Sequence, residues 1–550
     1  MSADRDRDKA FFGHPAGLST LFFTEMWERF SYYGMRAFLI LYMVAKEEEG
    51  GRGLSVSTGG IVVALYTAGV YMLSLPGGWI ADRFLGQRKA VIYGGVGILA
   101  GATLLALPID ALFYPGLAMG AIGTGLLKPN VSTIVGQLYA ADDPLRDAGF
   151  TIYYMGINIG AFGAPLACGT LAQSTWFRGV LADHGIDPGM CWHFAFGLVA
   201  IGMAAGIIQY ILGWQRMGEA GLHPTIPTNP SVAARDRGVL KLIVGVMLGL
   251  VALFVGLSVA DVSIDPELLG NIFGIGLLIA AVGVFYGLLS SVTDPNERKR
   301  VIAMIPLFVG GVAFFAIFEQ ASTTMNLFAE RVVHRSYLGF DDFPASYYQA
   351  VNSIFIIVLA TPFAAVWLKL AKANREPSSV VKFGIGMIFS AASIAVLLPT
   401  ITQISEISSL ADVDTIFGHI PYMSGVLDEA MEPHRASGTY LVVLYFFATL
   451  SELCISPVGL SSMSKLAPKR MAGMVMGTWF LATSIGNYLA GRAAGFTATR
   501  GYGFLFWTLV IASLAMAGLL FALAPMIKRM TTTTDTPGKA DEAARAEEPA

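Results

Sequence analysis

Seven ionisable residues stand inside long apolar stretches of the chain: Glu25, Glu28, Arg29, Arg36, Lys128, Glu319 and Glu452. Each charge costs about 2.5–3.5 kcal/mol to place in lipid, so such residues mark a pathway or a site. At about 100° of rotation per helical residue, Glu25, Glu28, Arg29, Tyr32, Tyr33 and Arg36 share an arc of roughly 140°. Glu25 and Arg29 are i,i+4 neighbours, as are Glu28 and Tyr32. Such a stripe lines water or meets other helices. A salt-bridge ladder that only glues a bundle accounts for Glu25, but it is a costly account of the whole stripe. The first half of the chain supplies three intramembrane bases, Arg29, Arg36 and Lys128, beside its two acids. The second half supplies Glu319 and Glu452 and no midmembrane base. A cavity of that polarity suits a zwitterion, with a carboxylate near Arg29 and Lys128 and an ammonium near Glu319. The carboxylates are also candidate proton carriers.

The elements that must position these groups are membrane helices. The 550 residues are 55% hydrophobic and 14% charged, with a mean hydropathy of +0.61. A tandem of soluble domains would need several charged surfaces, with about 25% charged residues, so the apolar excess belongs in lipid. Three cysteines cannot staple so long a chain, the 62 glycines have no triplet period, and a net charge of −3 signals no nucleic-acid partner. Apolar spans are expected at 18–44, 58–81, 90–107, 112–137, 150–172, 192–214, 239–260, 269–292, 302–328, 345–370, 381–401, 439–466, 471–491 and 502–526. That is an all-α polytopic membrane protein of about fourteen transmembrane helices, arranged as six, two and six. The expected organisation is an N-terminal segment 1–17, a six-helix bundle 18–214, a linker 215–238, an extra two-helix hairpin 239–300, a second six-helix bundle 301–527 and a disordered tail 528–550.

Lys and Arg set the orientation. One set of alternate loops holds Arg83, Arg88, Lys89, Arg146, Arg216, Arg235, Arg237, Arg298, Lys299, Arg300, Lys369, Lys372, Arg375, Lys465, Lys469, Arg470, Lys528 and Arg529. The other set is acidic: Glu47, Glu48, Glu49, Asp261, Asp265, Glu267, Asp341, Asp342, Asp412 and Asp414. The basic face is therefore expected in the cytoplasm, with both termini there. Asp82 and Arg83 with Arg88 and Lys89 read either as a latch between helices or, for the two later bases, as a positive-inside anchor. Pro129 and Pro457, each within a span, read equally as hinges or static kinks.

The residues Glu25-Met-Trp-Glu28-Arg29-Phe30-Ser-Tyr32-Tyr33-Gly34 resemble the E-x-x-E-R-F-x-Y-Y-G motif of proton-dependent oligopeptide transporters, a family of the major facilitator superfamily. The segments Gly78–Lys89 and Phe150–Phe162 are similar to that family's two signatures. Lys128-Pro129-Asn130, Phe318-Glu319-Gln320 and Glu452-Leu-Cys-Ile-Ser456-Pro457 also look like its motifs, and the extra hairpin is a feature of its bacterial branch. The resemblance implies a major facilitator fold in the bacterial inner membrane and a monomer importing di- and tripeptides. The driving force would be an inward proton gradient, with no cofactor. It implies that Arg29, Arg36 and Lys128 hold the peptide carboxylate, and that Asn158, Glu319 and Asn352 hold the amino end. Tyr33 and Tyr71 would add polar contacts, and Trp479 and Tyr154 would shape side-chain pockets. Glu25, Glu28 and Arg29, with Glu319 and Glu452, would couple protons. Arg36–Glu319 and Lys128–Glu452 would be inter-half salt bridges, one gating each side, with Glu452 also in the substrate site. Two positions depart from family variants: Phe318 replaces a second acid, and Thr67 stands where mammalian members place a histidine.

Two other readings are a carrier of another small solute, such as nitrate or an amino-acid-like molecule, and a membrane-embedded enzyme. A bare anion leaves the acids of the second half without a cation or proton partner. For an enzyme, none of the seven histidines stands mid-span or in a metal-ligand spacing, and there is no Walker A lysine and no C-x-x-C.

Overall fold

A computed structural model gives the fold, described for residues 11–140, 143–225, 227, 229–259, 265–334, 336–337, 339, 343–404, 432–466 and 472–532. Asp261, Asp341, Asp342, Asp412, Asp414, Lys469, Arg470 and the tail 533–550 lie outside the described residues.

The described elements are α1 (Ala16–Val44), α2 (Val56–Ile80, extended by a π turn Ala81–Leu85), α3 (Gln87–Ala106), α4 (Phe113–Gln137), α5 (Arg146–Gln173), α6 (Thr175–Asp183) and α7 (Cys191–Leu212). They continue with α8 (Pro230–Val259), α9 (Pro266–Ser290), α10 (Pro295–Phe318), α11 (Thr324–Val332), α12 (Tyr348–Lys372), α13 (Ser379–Ala395), α14 (Thr439–Leu466) and α15 (Ala472–Thr532). Side-chain caps start several of them: Ser55 Oγ accepts from the Thr58 amide, Ser174 Oγ from Phe177, and Asp294 from Asn296 and Glu297. The 61 residues of α15 form two arms, because Gly501 at φ 79° turns the chain between them. Ten stretches are apolar and long enough to cross a membrane by themselves, and α15 contains one of 54 residues, enough for two crossings. α1 is not among the ten; it carries the four charges of the stripe. α6, a nine-residue helix between two spans, has no counterpart among the expected elements.

Helices α1–α5 and α7 pack into one bundle, and α10–α15 into a second. The bundles meet along two seams, α2 against α15 and α5 against α12, while α1 reaches α11. On the first seam the backbones of Gly60 and Gly491 touch; a Cβ on Gly60 would lie 2.4 Å from the Gly491 carbonyl, so only glycine fits. The hairpin helix α9 lies against both α2 and α15. This is a major facilitator architecture with an added hairpin.

The linker after α7 is folded rather than loose. Arg88 is 2% exposed. Its guanidinium donates to the carbonyls of Ala220 (2.6 Å), Trp214 (3.2 Å) and Gly218, and lies 5.2 Å from the Trp214 ring centre. The Thr225 amide donates to the Asp82 carbonyl at 2.7 Å, and Gln87 donates to the Asp82 carboxylate at 2.6 Å. Arg88 thus staples the linker to the α2–α3 turn, a role its basic charge alone does not announce.

Candidate functional site

The charged stripe of α1 faces inward. Glu25, Glu28, Arg29 and Arg36 are all buried, with exposures of 2%, 1%, 3% and 6%. Arg29 Nε pairs with Glu28 and with Glu25 Oε1 at 3.3 Å. Tyr153 of α5 donates its hydroxyl to Glu25 Oε2 at 2.7 Å. Tyr32 and Tyr33 stand between the two arginines: the Arg29 guanidinium carbon is 4.9 Å from the Tyr32 ring centre and that of Arg36 is 5.5 Å away. The i,i+4 geometry of the helix produces this alternation of guanidinium and ring. Several polar atoms here are buried without a hydrogen bond among the described residues: Arg29 Nη2, Glu28 Oε1, Arg36 Nε and the Tyr32 hydroxyl. Such atoms supply donor and acceptor capacity for a polar guest.

Arg36 crosses to the second bundle. Its Nη2 donates to Glu319 Oε2 and to Ser322 Oγ, the latter at 2.9 Å. The local fold makes this contact possible. The apolar run 302–328 reads as one helix, but α10 stops at Phe318 and residues Glu319–Ser322 form a 3-10 turn before α11. Thr323 leaves helical geometry at φ −122°, ψ −92°. The break places Glu319 and Ser322 on the same guanidinium.

Lys128 and Glu452 are not joined to each other among the described residues. Lys128 Nζ lies 3.7 Å from the centre of the Tyr71 ring, a cation–π contact within the first bundle. Arg29, Glu28, Glu25 and Glu319 are its charged neighbours. Glu452 Oε2 accepts from Asn352 Nδ2 at 3.2 Å, and the same amide donates to Thr449 at 3.0 Å. Tyr154 is 42% exposed, with Glu452 and Tyr33 as its electrostatic neighbours. Asn158 spends its amide on the Tyr154 carbonyl at 3.0 Å. Trp479 is packed inside the second bundle, 5.6 Å from Phe315 and 6.4 Å from Phe383, ring centre to ring centre. Thr67 donates to the Val63 carbonyl at 2.7 Å and is buried.

The two pairs therefore differ. Arg36 and Glu319, near the C-terminal ends of α1 and α10, are joined. Lys128 and Glu452 each keep partners of their own bundle. More contacts close the seam on the Arg36 side, which is the acidic face. Thr170 and Tyr347 share a hydroxyl hydrogen bond of 2.5 Å. Gln173 donates to Glu330 at 2.8 Å and accepts from the Ser346 amide at 3.1 Å. Asn326 and Gln349 both donate to the Ala37 carbonyl, at 2.6 and 3.2 Å. Beside these, outside the spans, burial lifts the Glu49 carboxyl above its ordinary value against the opposing pull of Arg178 and Lys46.

Sequence reasoning did not single out Tyr153, Ser322 or Gln173. Tyr153 stood in a recognisable motif; its separation of 128 residues from Glu25 gives no signal without the fold. Among the described residues no three His, Cys, Asp or Glu side chains group as a metal site.

Two six-helix bundles around buried charges of opposite sign define a polytopic solute carrier of the major facilitator type. The sequence pattern of the POT family matches residues 61–503. The chain is 35% identical to the peptide transporter YePEPT of Yersinia enterocolitica subsp. palearctica, over 96% of this chain and 97% of that one. It is 34% identical to a di-/tripeptide transporter of Lactococcus lactis subsp. cremoris, covering 95% and 98%. A crystal structure of a peptide transporter POT in complex with sulfate superposes with a TM-score of 0.79 at 36% identity, covering 96% and 99%. The chain belongs to the POT family of membrane transporters, and this sets the enzyme reading aside.

Proposed function

We propose that the protein imports di- and tripeptides across the bacterial cytoplasmic membrane, driven by an inward proton gradient and by alternating access. The observation that carries the reading is the asymmetry of the two inter-bundle pairs. Arg36–Glu319 is made, while Lys128 and Glu452 are apart, as expected of a carrier closed on one face. The named activities of the relatives support the substrate class. With the basic face in the cytoplasm, both termini are inside and the closed face is the outer one.

A short peptide of any sequence shares two termini and a backbone. Bases on one wall and acids on the other read the termini, and their separation limits length. In this reading Arg29, Arg36 and Lys128 seat the carboxylate, and Asn158, Glu319, Asn352 and Glu452 face the amino end. Tyr33 and Tyr71 supply polar contacts, and Tyr154 and Trp479 shape side-chain pockets. The unused Nη2 of Arg29 supports its part. A substrate carboxylate that engages Arg29 weakens its hold on Glu25 and Glu28, and protonation of either acid does the same. Peptide and proton are thereby linked through a shared guanidinium, with no direct contact between them. The protein acts as a monomer, since each bundle pair contains a complete set of these groups.

The test is competition for labelled dipeptide uptake in liposomes. Unlabelled dipeptides and tripeptides compete, and tetrapeptides and nitrate do not. Equal competition by nitrate would replace this reading with an anion carrier.

A further inference from the structure

Among the described residues no side chain of the α8–α9 hairpin pairs with Glu25, Glu28, Arg29, Arg36, Lys128 or Glu319, yet the hairpin is fastened to both bundles. Glu267 stands in the first turn of α9, its amide bonded to Asp265 Oδ1 at 2.9 Å. Its carboxylate is divided between the two halves of the molecule. Oε1 accepts from Ser57 Oγ of α2 at 2.9 Å, and Oε2 accepts from Arg492 Nη1 of α15 at 2.8 Å. One turn on, the Tyr488 hydroxyl of α15 donates to the Gly270 carbonyl at 3.0 Å. A Cβ on Gly270 would meet Ile61 of α2 at 3.2 Å and Arg492 at 3.3 Å. Directly beneath lies the backbone contact of Gly60 with Gly491, with Gly495 against Ser57. At its basic-face end the hairpin is held as well: Asp236 of α8 pairs with Arg83 at 3.6 Å, and Phe285 of α9 meets Phe308 of α10 at 5.1 Å.

We propose that α9 is a strap across the α2–α15 seam, and that Glu267, shared between Ser57 and Arg492, holds the outer end of that seam closed. The proposal rests on the alternating-access reading above. Opening the outer face moves the outer ends of α2 and α15 apart, and one carboxylate cannot then reach donors on both. The contact is therefore made in the outer-closed state and lost in the other, and only such differential contacts shift a conformational equilibrium. Arg492 and Glu267 are 26% and 49% exposed, so the bias is that of a partly solvated pair, about two- to fivefold in population. It acts at a seam remote from Arg36–Glu319, adding a second closure outside the substrate cavity. Glu267 is a positioning residue; it touches neither peptide nor the proton-coupling acids.

The test uses the full-length protein in lipid nanodiscs, spin-labelled through Glu48→Cys and Thr499→Cys, exposed positions near the acidic-face ends of the two bundles. The native Cys168, Cys191 and Cys454 are buried. Glu267→Ala should raise the long-distance population about two- to fivefold, Ser57→Ala should raise it less, and the charge exchange Glu267→Arg with Arg492→Glu should restore the short distance. An unchanged distribution in Glu267→Ala, with Arg36→Ala opening the same label pair, would overturn the strap. So would an opening that the charge exchange fails to reverse in a monodisperse sample. The distance readout needs no substrate. Failure of dipeptide uptake in the unmodified protein would count against the transport reading and leave this result standing.

Discussion

Removing Glu319 should open the acidic face, and the structure sets the size of the effect. Arg36 and Glu319 are each 6% exposed as side chains, so the charge left behind by a single truncation has little water to turn to. Truncating one member of a buried pair costs about 3–5 kcal/mol. Ser322 remains bonded to Arg36 at 2.9 Å and returns part of that, leaving about 2–3 kcal/mol. In the outward-open state both residues meet water, so the loss falls on the closed state alone. A shift of 2–3 kcal/mol multiplies the open-to-closed ratio by about 30- to 150-fold. The assay is the rate at which a membrane-impermeant thiol reagent, added outside, modifies Thr170→Cys, a position inside the closed seam beside Tyr347. The rate should rise by that factor in Glu319→Ala, by at least as much in Arg36→Ala, where the Ser322 contact is lost with the guanidinium and offsets nothing, and by less in the double variant, which leaves no orphaned charge. Unchanged rates in both single variants would refute the assignment of this pair as a gate.

Three further outcomes follow from the same geometry. Glu28→Gln should abolish accumulation of dipeptide against a gradient yet leave peptide exchange between compartments largely intact; continued proton-driven accumulation would remove Glu28 from the coupling. Lys128→Ala should weaken binding of free-carboxylate dipeptides far more than of their C-terminal amides, by about tenfold or more, and calorimetry with matched pairs would show equal losses if Lys128 did not face the carboxylate. Arg88→Ala should lower stability by about 1–3 kcal/mol and expose residues 214–225 to protease, because three carbonyls lose their donor; a protease-resistant linker in that variant would contradict the staple.

The chemistry of α1 was legible in the sequence because it is local. One face of a single helix carries Glu25, Glu28, Arg29, the two tyrosines and Arg36 over about three turns, and the fold need only supply a cavity for them to face. The two-bundle architecture was legible for a similar reason, since apolar spans and loop charges each report on the membrane. Contacts between distant segments were not legible from the residues themselves; the Arg36–Glu319 pair was expected only through the family resemblance. Nothing in Phe318-Glu319-Gln320 signals a helix end, because the break contains neither proline nor glycine and is held by what surrounds it. Tyr153 looks like one more aromatic of its signature until the packing of α1 on α5 brings its hydroxyl to Glu25. Arg88 reads as a topological anchor by charge, whereas its guanidinium is buried in linker carbonyls that the sequence cannot place. Glu267 belongs to the acidic loops by composition, and only the course of α9 shows it between Ser57 and Arg492.

The most direct test of the account is dipeptide accumulation in proteoliposomes containing the unmodified protein, with an inward proton gradient imposed and then collapsed by an ionophore. The account predicts that labelled dipeptide rises above its external concentration only while the gradient lasts. It also predicts no accumulation above the external concentration under the same gradient when Glu25 and Glu28 are both changed to Gln. Equilibration of dipeptide to the same level with and without the gradient would contradict it.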